Sequence, residues 1–532
     1  MLLVSRDNPE RGLSLFLMPC KILVSIGVLG VLVGGIVCCK KGSNMDNTII
    51  RMPFPFKAGL CDYDPAKIHF SQEYNFLVNI YSPLLEYSVD GKLVSAVAEK
   101  FEWVGTDAHF TIRPDLRTID GVPITVEDVE ASFKRLFVLS SNMHGDLKDM
   151  VCQGKELKNL SDPCPGMSVL PGQRKIVLHF TAKKVFLFQM LTSIDFSVIP
   201  RNSFDKKTLK ITDYRNTSGP YYVKTDKGEG NIELAANPVH FHYSKKMPQG
   251  VMLVPVNARD VDATLKLFDE GKINHIGTFR FPSDKLLTYA AQKKNVSVHS
   301  TYPNRLFWFS FTKKGRLNFS VQERFALGKA IKRWMFTKVS SLPGYETAEQ
   351  LFPALGDGAL TEEHLSQLRK AFQNAPESIL INRPVVVWAW NMSKEDLDFI
   401  KKMLPAAKFV TDMLKLPGTV DYKKEGIEEP EICFLSGDTS PQEDISFFSY
   451  YLNFEFLHIY GEEGKTWLRG YMATEDRKKR LAMAEELHFK TLINAEVIPM
   501  AANTYAAIAK KPWVFNYSKF YATNFVWRIT KN

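Results

Sequence analysis

The sequence predicts an exported α/β protein folded into two lobes, and three observations support this fold class. The chain has 532 residues, which is more than one compact core usually holds, so at least two lobes are expected. A short apolar segment near the N-terminus is typical of an export signal. In the second half, helical patterns alternate with apolar strands, which indicates a sheet covered by helices on both faces.

The composition is that of an ordinary globular protein. Apolar residues make up 45%, charged residues 24% and aromatic residues 12%, which argues against disorder, a collagen repeat and a polytopic membrane protein. The net charge is +10, but the lysines and arginines are scattered among acids and form no long basic tract. We therefore expect no binding to nucleic acid.

The apolar segment runs from Ile22 to Val37, after Lys21 and before Cys38 and Cys39. It is slightly longer than the apolar part of a usual secretory signal and slightly short for a transmembrane helix, which needs about 20 residues. A cysteine at this point resembles a bacterial lipoprotein signal, in which the thiol of Cys38 or Cys39 carries the lipid. An uncleaved signal anchor and simple cleavage are the alternatives.

Each of these alternatives makes residues 1–38 a leader and places residues 45–532 outside the cytoplasm. Residues 1–17 fit no signal pattern, so the true start is either Met1 or Met18.

Cysteine and histidine spacing predicts a disulfide and no metal site. Cys152 and Cys164 bracket a loop that contains Pro163 and Pro165. An exported setting permits a bond between the two thiols, although two unpaired thiols are the alternative. The histidines lack zinc spacing, and no cofactor is expected.

Several segments have the pattern of a particular element. Alternating apolar residues predict strands at Phe101–Trp103 and His109–Arg113, and Thr125 precedes an acidic first helical turn. Further on, continuous or alternating apolar residues predict buried strands, and apolar residues at helical spacing predict helices between them. The strands are Arg305–Phe311 and Val385–Trp390, and the helices are Val321–Phe336, Thr361–Asn374, Ser393–Leu404 and Glu475–Leu492.

Catalytic motifs are missing from the sequence. The segment Gly461–Thr466 imitates a phosphate-binding loop, but Ile459 stands where that loop needs its first glycine. No Gly-x-Ser-x-Gly nucleophile elbow occurs. The histidines His240 and His242 are better explained as a surface pair than as metal ligands. We therefore expect a binding protein and not an enzyme.

Seven short segments, in this order along the chain, resemble the oligopeptide- and dipeptide-binding proteins of bacterial ABC importers. The most specific is Ile119–Val129, which is similar to the family's His-Asp-Gly-x-Pro-x-Thr-Ala-x-Asp-Val run, with Ile119 in place of the histidine. The others are Tyr63–Pro65, Ile80–Leu85, Thr217–Tyr221, Phe268–Ile273, Glu323–Leu327, and Val497–Pro499 with Lys511–Val514.

The resemblance implies an α/β periplasmic binding protein of type II, in its large three-subdomain form, with a hinge and a ligand cleft between two lobes. It also implies a division of the chain into lobe I at 45–89, 191–298 and 493–532, an inserted subdomain at 90–190, and lobe II at 299–492.

The resemblance further implies a set of ligand-binding residues. In the family, an acid after a late strand binds the α-amino group of the peptide, and Asp438 stands at that place here. A turn residue is the plainer interpretation of Asp438. The family's tryptophan is absent, with Phe434 or Leu435 nearest, and Thr439, Tyr302 and Asn391 are further candidates for the cleft.

A peptide ligand and an ABC permease are the partners that the resemblance implies, for a monomer held at the membrane by a lipid or signal anchor. The alternatives are another ligand on the same scaffold, such as a nickel chelate, a sugar, haem or a cell-wall fragment, and an extracytoplasmic enzyme or adhesin.

Overall fold

The structure is a computed structural model that describes residues 47–54, 63–68, 71–139, 145–228, 231–257, 260–277, 281–351, 358–389, 392–412, 422–438, 461–522 and 524–532. The leader with Cys38 and Cys39, and the predicted cleft residues Asn391 and Thr439, lie outside these residues. Within the described ranges, no helix has both the length and the apolar character needed to cross a membrane.

Lobe I contains a four-stranded sheet and a three-stranded sheet. The four-stranded sheet has the order β1-β10-β9-β8, and its parallel pair β1 and β10 is packed beneath helix α1. Its elements are β1 (Ile49–Phe54), α1 (Ser71–Ile80), β8 (Tyr221–Asp226), β9 (Ile232–Ala236) and β10 (Gly250–Pro255).

The three-stranded sheet has the order β11-β19-β12, so a strand from the C-terminal part of the chain lies between two strands from the middle. Its elements are α5 (Val261–Asp269), β11 (His275–Ile276), α6 (Ser283–Ala291), β12 (Val296–Ser300) and β19 (Ala506–Lys510). Phe268 and Ile508 are fully buried in the core between this sheet and the two helices.

The inserted region forms its own antiparallel sheet in the order β4-β5-β7-β6. The predicted hairpin is present as β4 (Ala98–Val104) and β5 (Asp107–Ile112), with Gly105 at a positive φ in the turn. The remaining elements are α2 (Val126–Leu139), α3 (Gly145–Val151), β6 (Met167–Leu170), β7 (Lys175–Leu178) and α4 (Leu187–Met190). Just after α3, the sulfur of Cys152 lies 2.14 Å from that of Cys164, so the structure has a disulfide here.

Lobe II is built on a six-stranded mixed sheet in the order β14-β18-β13-β17-β15-β16. The strands are β13 (Arg305–Phe311), β14 (Tyr345–Thr347), β15 (Val385–Trp388), β16 (Ala407–Val410), β17 (Ile432–Asp438) and β18 (Val497–Asn503). The helices around it are α7 (Lys313–Asn318), α8 (Val321–Val339), α9 (Glu362–Asn374), α10 (Lys394–Met403), α11 (Gly461–Ala473) and α12 (Arg477–Ile493).

Side chains of β13 alternate between two cores, one on each face of this sheet. Leu306 and Trp308 pack with residues of α11 and α12, whereas Phe309 and Phe311 pack with residues of α8 and α10. The predicted sheet covered on both faces is therefore confirmed, and the continuous apolar run at β15 follows from its burial on both sides.

The chain crosses between the lobes twice, and one predicted boundary needs correction. The first crossing joins β12 to β13 through residues 301–304, and the second joins β18 to β19 through residues 504–505. The predicted boundary at 493 assigned β18 to lobe I, but β18 pairs with β13 and β14 in the sheet of lobe II. An apolar pattern predicts that a segment is a buried strand, but it does not indicate which sheet the strand joins.

The pairing of β18 with β13 is irregular at Pro499. Phe307 pairs with Ala501 and Trp308 pairs with Pro499, so Met500 is an extra residue in β18. Proline has no N–H to donate within a sheet, and a bulge is one of the few interior positions that tolerates it. Two small antiparallel pairs complete the described strands: β2 (Leu85–Tyr87) with β3 (Leu93–Ser95), and β20 (Trp513–Phe515) with β21 (Ile529–Lys531).

The inserted region also contacts lobe II at a turn before α4. The Phe186 ring stacks on the ring of Tyr471, with centroids 5.7 Å apart, and the guanidinium of Arg480 lies over the Phe186 ring. Phe186 belongs to the core of lobe II, whereas the next residue, Leu187, belongs to the core of the inserted region. We call this contact the aromatic contact.

Candidate functional site

The two crossings lie side by side and are joined by main-chain and side-chain hydrogen bonds. The Thr301 N–H donates to the Tyr505 carbonyl at 3.0 Å, and the Tyr505 N–H donates to Thr301 Oγ1 at 2.9 Å. Asn304 Nδ2 donates to the Phe520 carbonyl at 2.8 Å. These bonds tie the two crossings to each other and to the C-terminal segment at the point where the sheet of lobe II begins.

At this end of the sheet, four polar residues form a row across four neighbouring strands. Tyr345 of β14 pairs with Asn503 of β18, which pairs with Arg305 of β13, which pairs with Asp438 of β17. Directly opposed residues on antiparallel strands point to the same face of the sheet. A phenol, an amide, a guanidinium and a carboxylate therefore share one face beside the crossings, and we call them the polar row.

Asp438, the acid predicted from the sequence, lies at the exposed end of β17. Tyr505 Oη from the second crossing donates to Asp438 Oδ1 at 2.5 Å. Burial first, and then the nearby Asp438 carboxylate, raise the pKa of Tyr505 well above its usual range, so the phenol keeps its proton and acts as a donor. A carboxylate has lone pairs for several donors, so Asp438 can still accept from an ammonium group.

Arg305 lies next to Asp438 in the polar row and is partly buried. Its guanidinium lies 5.6 Å from the centre of the Phe307 ring and 5.7 Å from that of Tyr505. Among the described residues, no carboxylate forms an ion pair with it. Its side chain also hydrogen-bonds to that of Tyr505. Flat aromatic faces hold a guanidinium in place, and its five N–H groups leave further donors for an anion.

Asn503 and Tyr345 complete the row on the other side of Arg305. Asn503 is only 6% exposed, and its Oδ1 has no hydrogen-bond partner in the described part of the chain. Burial raises the pKa of Tyr345, and its ring stacks near that of Phe307. Both side chains are neutral hydrogen-bonding groups at neutral pH.

The other residues predicted from the sequence are found in different places. Phe434 is buried in the core of lobe II, with its ring centre 5.3 Å from that of Phe309, and its role in the cleft stays a prediction. It shares a face with Asp438 but lies four residues deeper along β17. Tyr302 lies in the first crossing, where its N–H donates to the Lys519 carbonyl and its ring contacts Phe520.

Sequence reasoning missed Arg305, Asn503 and Tyr505. Arg305 did carry a signal, because a charged residue began a strand that is otherwise almost entirely aromatic and apolar. Asn503 and Tyr505 carried none, since each is brought to Asp438 by strand pairing across many residues.

The histidines His240 and His242 are not a surface pair. His240 is buried, its Nε2 lies 3.2 Å from Ser82 Oγ, and burial lowers its pKa. His242 Nε2 lies 3.0 Å from Glu86 Oε2. In the described ranges, no group of three histidine, cysteine or acidic side chains could hold a metal ion.

A two-lobed α/β fold with two crossings, and with a polar site beside them, defines a periplasmic binding protein of type II. The family model of the bacterial extracellular solute-binding proteins, family 5 (middle region), matches residues 92–371. The chain belongs to this family.

Two curated relatives are oligopeptide-binding proteins. The periplasmic oligopeptide-binding protein OppA of Escherichia coli is 24% identical over 257 residues, which are 45% of this chain and 46% of the relative. The oligopeptide-binding protein OppA of Bacillus subtilis is 23% identical over 312 residues, which are 56% of this chain and 54% of the relative. The matched region thus spans about half the length of these relatives.

Solved structures share the fold over almost the whole chain. The periplasmic murein tripeptide-binding protein MppA, in an unliganded open form, has a TM-score of 0.68 at 16% identity and covers 91% of this chain and 98% of its own. NikA of Brucella suis with Fe(III)-EDTA has a TM-score of 0.70 at 14% identity, with 91% and 100% covered. OppA of Haemophilus influenzae with the peptide RPPGFSPFR has a TM-score of 0.63 at 14% identity, with 91% and 99% covered.

Proposed function

We propose that this protein captures peptides outside the cytoplasm and delivers them to the permease of an ABC importer. The observation that carries the proposal is the position of Asp438, an exposed carboxylate beside both crossings that Tyr505 holds by a hydrogen bond. An acid at this point can bind the α-amino group that every unblocked peptide has. The oligopeptide-binding relatives support the same class of ligand.

The crossings supply the movement that capture needs. A hinge made of two short segments lets two lobes close over a ligand while each lobe keeps its own core. Variable side chains of the peptide are then tolerated if recognition depends on the charged end and the main chain, which all peptides share.

The test compares Asp438→Asn with the unchanged protein in calorimetric binding of trialanine and N-acetyl-trialanine. We expect the variant to lose at least about tenfold in affinity for the free peptide, because a charge-assisted hydrogen bond is lost, and to lose much less for the acetylated one. Glu377→Gln is the matched control, since Glu377 is a surface carboxylate paired with Lys329 and Arg333. Equal losses for both peptides would remove the role assigned to Asp438.

A second measurement addresses the class of ligand. Relatives with this fold bind a murein tripeptide and Fe(III)-EDTA as well as peptides, so fold alone does not define the cargo. Native mass spectrometry of the purified protein should detect retained peptides. A non-peptidic cargo, or hydrolysis of added peptides by the pure protein, would overturn the proposal.

Location, anchoring and oligomeric state are the subject of three further proposals. We propose that the protein resides in the cell envelope, that Cys38 or Cys39 carries a lipid anchor, and that the protein acts as a monomer. The mass of the mature N-terminal peptide distinguishes a lipidated cysteine from a cleaved or retained signal. The disulfide between Cys152 and Cys164 suits the same oxidising location.

A further inference from the structure

The polar row carries opposite charges on neighbouring strands. Asp438 on β17 and Arg305 on β13 are directly opposed, and opposed residues in antiparallel strands have Cα atoms about 5 Å apart. The carboxylate and the guanidinium thus occupy neighbouring positions on one face of the sheet. A ligand placed against the row would therefore meet both charges.

Arg305 is placed to bind an anion, because its guanidinium forms no ion pair among the described residues, although its side chain hydrogen-bonds to that of Tyr505. The described residues include 26 ion pairs such as Arg316 with Glu496 and Arg383 with Glu431, but none involves Arg305. Its neighbours are instead the aromatic faces of Phe307 and Tyr505. A partly buried guanidinium that forms no ion pair is costly unless a ligand supplies an anion.

Asn503 gives a second and independent indication of a ligand. Its Oδ1 is buried without a donor in the part of the chain that the structure describes. An orphaned buried acceptor is unfavourable unless a ligand or water satisfies it. Asn503 lies opposite Arg305. Across neighbouring strands, the row therefore offers Asp438 for an ammonium group, Arg305 for an anion and the Asn503 amide for a polar group, in that order.

We infer that Arg305 determines specificity, and that the protein prefers peptides whose first residue is acidic. In this arrangement the α-amino group binds Asp438 while the side-chain carboxylate of the same residue binds Arg305. The Asn503 amide then bonds to the first peptide group. This inference rests on the proposed function, since it assigns the ligand to the same site.

The experiment measures the affinities of Glu-Ala-Ala and Gln-Ala-Ala, which differ in charge but hardly in size. We expect the unchanged protein to bind the glutamate peptide about tenfold more tightly. Arg305→Met should abolish this preference, so that the variant binds the two peptides equally tightly. Arg305→Lys, which keeps the charge without the fork of N–H groups, should retain part of it.

Arg333→Met is the control, because Arg333 is an exposed arginine paired with Glu377. Equal binding of the two peptides by the unchanged protein would overturn this inference and leave peptide capture standing. A preference that survives in Arg305→Met and is unchanged in Arg305→Lys would also overturn it. If neither peptide binds to the unchanged protein, the proposed function itself fails.

Discussion

The two lobes meet in two regions that depend on different forces. At the crossings, Thr301 and Tyr505 are joined by directed hydrogen bonds between main-chain and hydroxyl groups. At the aromatic contact, Phe186 of the inserted region stacks on Tyr471 and lies beneath Arg480. The first region is covalent and polar, whereas the second is made only of side chains and is mainly apolar.

This difference matches what each region must do in a protein that closes on a ligand. Hydrogen bonds depend steeply on angle, so the bonds at the crossings keep the polar row in one geometry. Apolar burial has no preferred direction and grows with area, so the aromatic contact contributes free energy without fixing an angle. The crossings position the lobes, and the aromatic contact holds them together.

The strongest test of this comparison is Phe186→Ala. Phe186 is 3% exposed, so its truncation should lower the free energy of unfolding by about 3–5 kcal/mol, as measured by urea denaturation. The reason is the loss of buried area together with the cavity that remains in the core of lobe II.

The control for this variant is Lys183→Met, which removes the neighbouring exposed ion pair with Glu475 and should change stability by less than about 1 kcal/mol. A loss below about 1 kcal/mol in Phe186→Ala would show that the ring is not held in lobe II. A cycle with Tyr471→Ala measures the coupling between the two rings.

A smaller effect is expected from Thr301→Val at the crossings. Valine has nearly the same shape, but the Tyr505 N–H loses its acceptor, and a buried unsatisfied donor costs about 1–3 kcal/mol. Urea denaturation measures this loss, and faster hydrogen exchange of the Tyr505 amide should accompany it. Thr337→Val on the exposed face of α8 is the matched control. Equal losses of stability in the two variants would contradict a stabilising role for the bond between the Tyr505 N–H and Thr301 Oγ1.

The smallest expected effect is the loss of stability at acidic pH that a buried histidine of lobe I causes. His275 in β11 is fully buried, both of its ring nitrogens lack partners among the described residues, and burial lowers its pKa to about 3. The unfolded chain therefore binds a proton below about pH 6.5 that the folded chain does not, so stability falls as the pH drops from 6.5 towards 3.

Between pH 7 and pH 5, His275 should account for a loss of about 1–2 kcal/mol. Burial also lowers the pKa values of His299 and His488. Only the share of the pH-dependent loss of stability that disappears in His275→Leu is therefore due to His275. Urea denaturation of both proteins at the two pH values gives that part. An unchanged pH dependence in the variant would contradict the effect of burial.

The sequence allowed prediction of the elements and of one side of the site. The strand Arg305–Phe311 and the sheet covered on both faces were predicted correctly, because apolar periodicity reports burial directly. Asp438 was placed at the end of a strand by resemblance to a family. Its role in binding stays a prediction.

The rest of the polar row could not be predicted, because it forms only when strands pair. Arg305, Tyr345, Asp438 and Asn503 are far apart along the chain and meet through the register of four strands. For the same reason, the pattern of β18 did not reveal which lobe it joins. The burial of Phe434 was not predicted either, because position along β17 decides whether a side chain lies in the core or at the exposed end of the strand.

Because of the extra residue in β18, the pairing of β18 with β13 has one register before the bulge and another after it. In an unbroken strand, a single register would apply along the whole pair. Met500 lies between the polar row at Asn503 and the core residues Val497 and Ile498. Changes in sequence on the side of the row need not shift the packing on the other side of the bulge. The end of the sheet that carries the polar row can thus diversify in evolution while the hydrophobic core beneath it stays the same.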